Sequence, residues 1–199
     1  MQARGYQPIA DYGLIGDGHC TALIARDGSI DWCCMPAMDA DSCFGRLLDA
    51  RLGGHCLLTV DGQDTPPQRG YEADTMVLAT RYSTPQGKAV VHDFFPMLEA
   101  SGRRETGRLA RIVRCIEGEV DVRVEVVPRF DFGEIIPDMR RRRAGLYTAC
   151  GSNKGLLIQC DDDGLALTDQ RDALLGMVRL RQGQVLRLSV RFVAPELLE

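Results

Sequence analysis

The sequence predicts an all-β fold, a mostly antiparallel two-layer β-sandwich with very little helix. Three observations point there. Short runs rich in β-branched residues recur along the chain, bounded by turn dipeptides such as Asp27-Gly28 and Asp61-Gly62. Residues 120–126 and 185–193 alternate between apolar and polar side chains, the period of a strand with one dry face and one wet face. Helical periodicity is almost missing.

Taken in order, the best-defined element is a hairpin over residues 21–26 and 29–34. Asp27-Gly28 at its tip suits a two-residue type I′ turn, which needs positive φ at both central positions. Strict alternation in the returning strand places Ile30, Trp32 and Cys34 on one face and Ser29, Asp31 and Cys33 on the other; core packing against Ile30 and Cys34 is the first reading of the single tryptophan, and an aromatic face that stacks on sugar the second. Residues 36–42 form an Asp-rich loop, and residues 43–48 are the best candidate for one or two helical turns. Residues 55–60 read as a strand closed by Asp61-Gly62, and residues 64–69, with two prolines, as a loop. A hairpin follows over residues 75–82 and 88–95. Residues 108–116 and 120–126 read as a further pair of strands turned by Glu117-Gly118-Glu119. Short strands are expected at 145–150, 155–160 and 165–168, before the last at 185–193.

Composition bounds the function classes. At 199 residues the chain suits one domain, residues 1–199, large enough to bury a core without staples. Hydrophobic residues at 45% and charged residues at 26% belong to a globular protein. A formal net charge of −4 argues against general binding of nucleic acid, and no apolar run is long enough to span a membrane. The start, Met1-Gln2-Ala3-Arg4-Gly5-Tyr6, lacks the hydrophobic segment of a leader, so the expectation is a cytoplasmic protein. In a reducing compartment the eight cysteines are then free thiols that pack as small hydrophobes.

Ordered motifs carry a family resemblance. Ile9-Ala10-Asp11-Tyr12, Leu14-Ile15-Gly16-Asp17, Ala25-Arg26-Asp27-Gly28-Ser29-Ile30-Asp31-Trp32 and Met35-Pro36 come first. Gly53-Gly54-His55, Val77-Leu78-Ala79-Thr80-Arg81, His92-Asp93-Phe94-Phe95-Pro96 and Pro128-Arg129-Phe130-Asp131-Phe132-Gly133 follow. Together they resemble the N-terminal region of glycoside hydrolase family 15, which includes glucoamylases, glucodextranases and trehalase-like enzymes. The resemblance implies a β-supersandwich packed on a C-terminal barrel of paired α-helices. That barrel supplies the general acid and the general base, and nothing in this sequence matches it. It implies a non-catalytic chain of a hydrolase acting on α-linked glucosides, without a cofactor. Its partners are the helical barrel and α-glucoside substrate at the interdomain rim, with self-association through the exposed docking face when the barrel is missing. A carbohydrate-binding module that grips α-glucan or trehalose by itself is the alternative; only 6% of the residues are aromatic, few for that role.

Candidate residues divide accordingly. Asp31, Trp32, Pro36, Asp39 and Asp41, in the best-matched part of the pattern, are expected at the interdomain rim of the sugar pocket. Asp27 with Asp31, Asp39 with Asp41, and Glu134 are carboxylates whose turn and loop positions explain them without catalysis. Asp17-Gly18-His19-Cys20 and His55-Cys56 lack the paired spacing of a zinc site, and no metal is expected. His92 is expected to hold its Asp93 neighbour or a backbone carbonyl. Asp161-Asp162-Asp163-Gly164 reads as a solvated turn rather than a calcium loop. Residues 13–18 fail as a phosphate loop, because no lysine and no helix follow. Arg140-Arg141-Arg142-Arg143 reads as a solvated loop or a patch facing an acidic neighbouring domain.

Overall fold

A computed structural model describes residues 6–97, 99–100, 103–104, 107–162 and 164–198. The residues read for a leader, 1–5, and Asp163 of the acidic turn lie outside them. The first strands are β1 (Gly13–Gly16), β2 (Thr21–Ile24), β3 (Ser29–Cys34), β4 (Ser42–Phe44) and β5 (His55–Val60). Next come β6 (Gln68–Tyr71), β7 (Leu78–Ser83), β8 (Gly87–Phe94) and the two-residue pair β9 (Glu99–Ala100) and β10 (Arg103–Arg104). The long β11 (Arg108–Val127) precedes β12 (Asp138–Arg143), β13 (Leu146–Gly151) and β14 (Lys154–Cys160). β15 (Ala166–Leu167), β16 (Leu174–Arg181) and β17 (Val185–Phe192) complete the series, and the helical content is three short 3₁₀ turns.

All pairings are antiparallel, as the sequence predicts, and β11 belongs to both layers. Its second half pairs with β5 and β16 in a first layer that continues through β3, β2 and β1. Its first half pairs with β8 and β17 in a second layer running from β6 to β12. Residues from both layers meet in one core, with Ile30, Leu58 and Val122 on one side and Val91, Leu109 and Leu188 on the other.

The expected turn at 117–119 is therefore not a turn. A bulge between Cys115 and Glu117 shifts the register by one residue, so the inward positions change from Val113 and Cys115 to Val120 and Val122. Gly118, at φ +65°, lets the strand bend, and a side chain there would meet the Gln86 carbonyl at 2.0 Å. The tips of two neighbouring hairpins satisfy the bulge: Glu119 donates to the Gln86 carbonyl, and Gln182 and Gly183 donate to the carbonyls of Gly118 and Cys115.

Other expectations change for local reasons. The β2–β3 turn is a three-residue loop rather than type I′: among its residues only Gly28 has positive φ, and Ala25 donates to Ser29 across it. Residues 43–48 are not helical; they begin as β4 and continue as turns that return to β5. The arginine run is no loop but an edge strand, β12, whose charges discourage pairing with another chain. β1, β6, β9, β10 and β16 were not expected as strands, and β6 takes in the end of the loop read over residues 64–69.

A buried arginine, charge-paired within its own layer, ties the two layers together. Arg111 of β11 is 0% exposed; its Nε donates to Asp93 Oδ1 of β8 at 2.7 Å, and Nη2 reaches the other carboxylate oxygen at 3.3 Å. The same guanidinium donates across the core to the Cys56 carbonyl at 2.5 Å and the Gly28 carbonyl at 2.7 Å. Burial alone would lower its affinity for the proton, but Asp93 outweighs burial and holds it above its usual value. His92 does not hold Asp93: strand alternation sends them to opposite faces, and His92 meets Glu72 at 3.3 Å.

Candidate functional site

The hairpin that carries Trp32 does not bury it. The register of β2 against β3 shifts after the Ile24–Ile30 pair, so Leu23 faces Trp32 and Ala22 faces Cys33. Ile30 and Cys33 consequently enter the core, while Trp32 stands half-buried on the outer side of the first layer. There it stacks on Phe132, with ring centroids 6.0 Å apart and planes at 26°.

Phe132 is held in place by an unusual backbone. Asp131, Phe132 and Gly133, in the 3₁₀ turn Asp131–Gly133, have φ of 51°, 58° and 105°. Two adjacent non-glycine residues in the left-handed region are costly, and the surroundings hold them there. Phe132 N donates to Ser42 Oγ at 3.0 Å, and Gly133 lies so close to Leu52 that a side chain would meet its carbonyl at 3.0 Å. Lys154, at the start of β14, places its ammonium between Asp41 at 2.5 Å and Asp131. The Lys154 hydrogen bond, with help from Asp131, keeps the Asp41 carboxyl below its usual range. Burial pulls Lys154 down, but its two carboxylates outweigh burial and raise it.

Four segments thus converge on the Trp32 side: the loop before β4, the loop between β4 and β5, the turn after β11 and the start of β14. Asp31 sits beneath this face rather than on it. It is 3% exposed and accepts from Tyr12 Oη at 2.9 Å, Ser29 Oγ at 2.6 Å and Arg46 Nε at 2.9 Å. Its backbone carbonyl accepts from Leu47 N, which anchors the loop after β4. Burial and the Asp31 hydrogen bond together push the Tyr12 hydroxyl upward. Pro36 is exposed, and its carbonyl accepts from Cys20 Sγ at 3.0 Å. Asp39 is exposed, and Met38, Leu52 and Phe132 add apolar surface.

This arrangement is suited to stacking and docking. Lys154 bridges the carboxylates of Asp41 and Asp131, which holds the two loops that carry them together. The remaining candidates have structural partners. Asp27 accepts from Ser29 N, and Glu134 is exposed with its N–H on the Asp131 carbonyl. His55 pairs with Glu125 at 3.0 Å, while Asp17 caps the backbone of His19 and Cys20. Asp162 caps Gly164 at 2.6 Å, and Gly13–Gly16 is a strand. No group of three or more metal-ligating side chains gathers among the described residues.

Asp131, Phe132 and Lys154 were not singled out from sequence. The first two lie in a motif that carries the family resemblance. Lys154 had no signal, because its neighbours come from residues 23 and 113 positions away.

Residues 2–184 match a family model described as trehalase-like, N-terminal. The chain is 34% identical to a trehalase of Mycolicibacterium smegmatis over 144 residues, covering 65% of this chain and 21% of that protein. It is 28% identical to a trehalase of Thermoplasma volcanium over 184 residues, covering 90% and 28%. With trehalase 2 of Sulfolobus acidocaldarius the figures are 30% over 154 residues, 77% and 24%. The chain spans between a fifth and a third of the length of these relatives.

Proposed function

This chain belongs to the trehalase-like N-terminal family, and from that membership we propose that it is the non-catalytic β-sandwich domain, residues 1–199, of a cytoplasmic α-glucoside hydrolase. It docks on a C-terminal barrel of paired α-helices and supports it, while the barrel carries the general acid and base. The observation that carries this reading is the Trp32–Phe132 stack on the outer side of the first layer, with exposed Leu52 against the Phe132 turn and the Asp-rich loop clamped to it through Lys154. Exposed aromatic and aliphatic side chains beside fixed polar loops have the composition of an interface core. The match of this region to relatives named trehalase, which extend well beyond it, supports the partner as a further part of the same polypeptide.

On this reading Trp32, Pro36, Asp39 and Asp41 frame the rim, Asp31 supports it from beneath, and α-glucoside approaches where rim and barrel meet. The test uses a polypeptide in which this chain precedes a trehalase catalytic region. Trp32→Ala with Phe132→Ala should lower the thermal stability of that region or alter its KM, and so should Asp39→Ala with Asp41→Ala. Wild-type values for stability and kinetics in both double variants would overturn the assignment of this face.

A further inference from the structure

The outer side of the second layer, on the far side of the sandwich from Trp32, carries a different chemistry. Leu109, Val113 and Cys115 of β11 face the core, so Ala110, Ile112, Arg114 and Ile116 face outward; the same alternation turns Arg187 and Arg191 of β17 outward. Register then assembles a basic field. Arg81 of β7 and Arg114 of β11 flank Val90 of β8 in one row across three strands. Ile112 lies between His92 and Arg187 in the next outward row, and Arg108 lies directly opposite Arg191 in a further one.

Three of the cations with described acidic partners lie toward the margins. Glu117 pairs with Lys88 at 2.7 Å, Asp161 with Arg187 at 2.9 Å and Glu72 with Arg81 at 3.8 Å. At one end the field opens into a cleft of about 580 Å³, with Arg81 and Lys88 beside Val90 and Ile116. The whole chain is nonetheless acidic, at −4. A basic, aliphatic-lined face on an acidic molecule is a local feature that complements one surface rather than a coat for any polyanion.

We propose that this face is a second docking surface, for an acidic protein segment that alternates carboxylates with aliphatic side chains. Charge complementarity selects the acid, and half-buried Ile112 and exposed Ile116 beside the cations select an apolar component. A nucleic-acid strand would call instead for aromatic platforms at those positions. The surface is independent of the Trp32 face, and the proposal stands whether or not that face meets a helical barrel.

The test is fluorescence anisotropy of the full 199-residue chain with a labelled peptide alternating Glu and Val. A peptide with Gln for Glu and a short oligouridylate serve as comparison probes. The Glu–Val peptide should bind at low salt and weaken as salt rises. Arg81→Glu combined with Arg114→Glu should weaken it about tenfold, since each reversal removes an exposed attraction and adds a repulsion. Arg179→Glu, on the outer side of the first layer, should leave binding unchanged and controls for net charge. Circular dichroism of the double variant shows whether it is folded. Absent binding, equal binding of the Gln peptide, or a folded double variant with wild-type affinity would overturn the proposal. Tighter binding of oligouridylate would overturn the choice of a protein partner.

Discussion

Replacing Arg111 with methionine removes a side chain that hydrogen-bonds to β8, β5 and the β2–β3 loop. Arg111 and Asp93 have side-chain exposures of 0% and 1%, so the variant leaves a carboxylate buried without its counter-ion. Breaking a buried pair from one side costs about 3–5 kcal/mol. The carbonyls of Cys56 and Gly28 lose their guanidinium donors in the same change, though Gly28 keeps the Leu58 N–H, and losing hydrogen bonds to a charged group costs about 1–3 kcal/mol. These contributions overlap, and about 5 kcal/mol is the expected total, comparable to the whole stability of many domains. Urea unfolding read by the fluorescence of Trp32 measures it, because the single tryptophan reports on both its own layer and the Phe132 turn. Arg111→Met with Asp93→Leu should recover part of the loss, since both charges leave together. An Arg111→Met protein within about 1 kcal/mol of wild type would refute Arg111 as the tie between layers.

Gly28→Ala should cost about 3 kcal/mol in the same assay, because φ is +86° and the new Cβ would lie 2.4 Å from the Leu58 carbonyl. Gly62→Ala, at φ +73° with open space around it, should cost only about 1 kcal/mol. Lys154→Met should expose the loop before β4, raising its rate of proteolytic cleavage about threefold, the scale of a partly exposed ion pair. The Asp41 carboxyl is lowered in the folded state, so its stabilisation is present above the ordinary carboxylate range and lost as pH falls through the lowered value; the variant should lack that acid limb. Thiol titration at pH 8 should react slowly except at half-buried Cys150, because burial raises Cys20 to about 12 and Cys34 and Cys160 to about 11. In urea all eight should react, and a smaller number would show disulfides.

The layers were legible because strand alternation is a local property. Residues 55–60 and the hairpin of β7 and β8 fall where β-branched runs and turns put them, and the valines of β11 face the core as their period requires. What escaped depends on partners distant in sequence. Glu117-Gly118-Glu119 has turn composition, yet the hairpin tips at Gln86 and Gly183 hold it extended as a bulge. One such shift in β3 was enough to move Trp32 from the predicted core to the surface, since a strand reverses its faces with a single extra residue. The Trp32 side was half legible: the Asp-rich loop was identified, but the Lys154 clamp on Asp41 and the Phe132 partner of Trp32 arrive from β14 and from the turn after β11. Asp31 looked like a surface carboxylate and is instead the buried acceptor for Tyr12, Ser29 and Arg46.

The most direct test of the central claim is calorimetric titration of the folded 199-residue chain with trehalose, maltose and a short maltooligosaccharide, with glucose release assayed in the same samples. An accessory domain predicts neither heat nor glucose. Heat without glucose would make the chain a carbohydrate-binding module, and glucose release that persists through further purification would contradict the account by requiring an acid and a base within this sandwich.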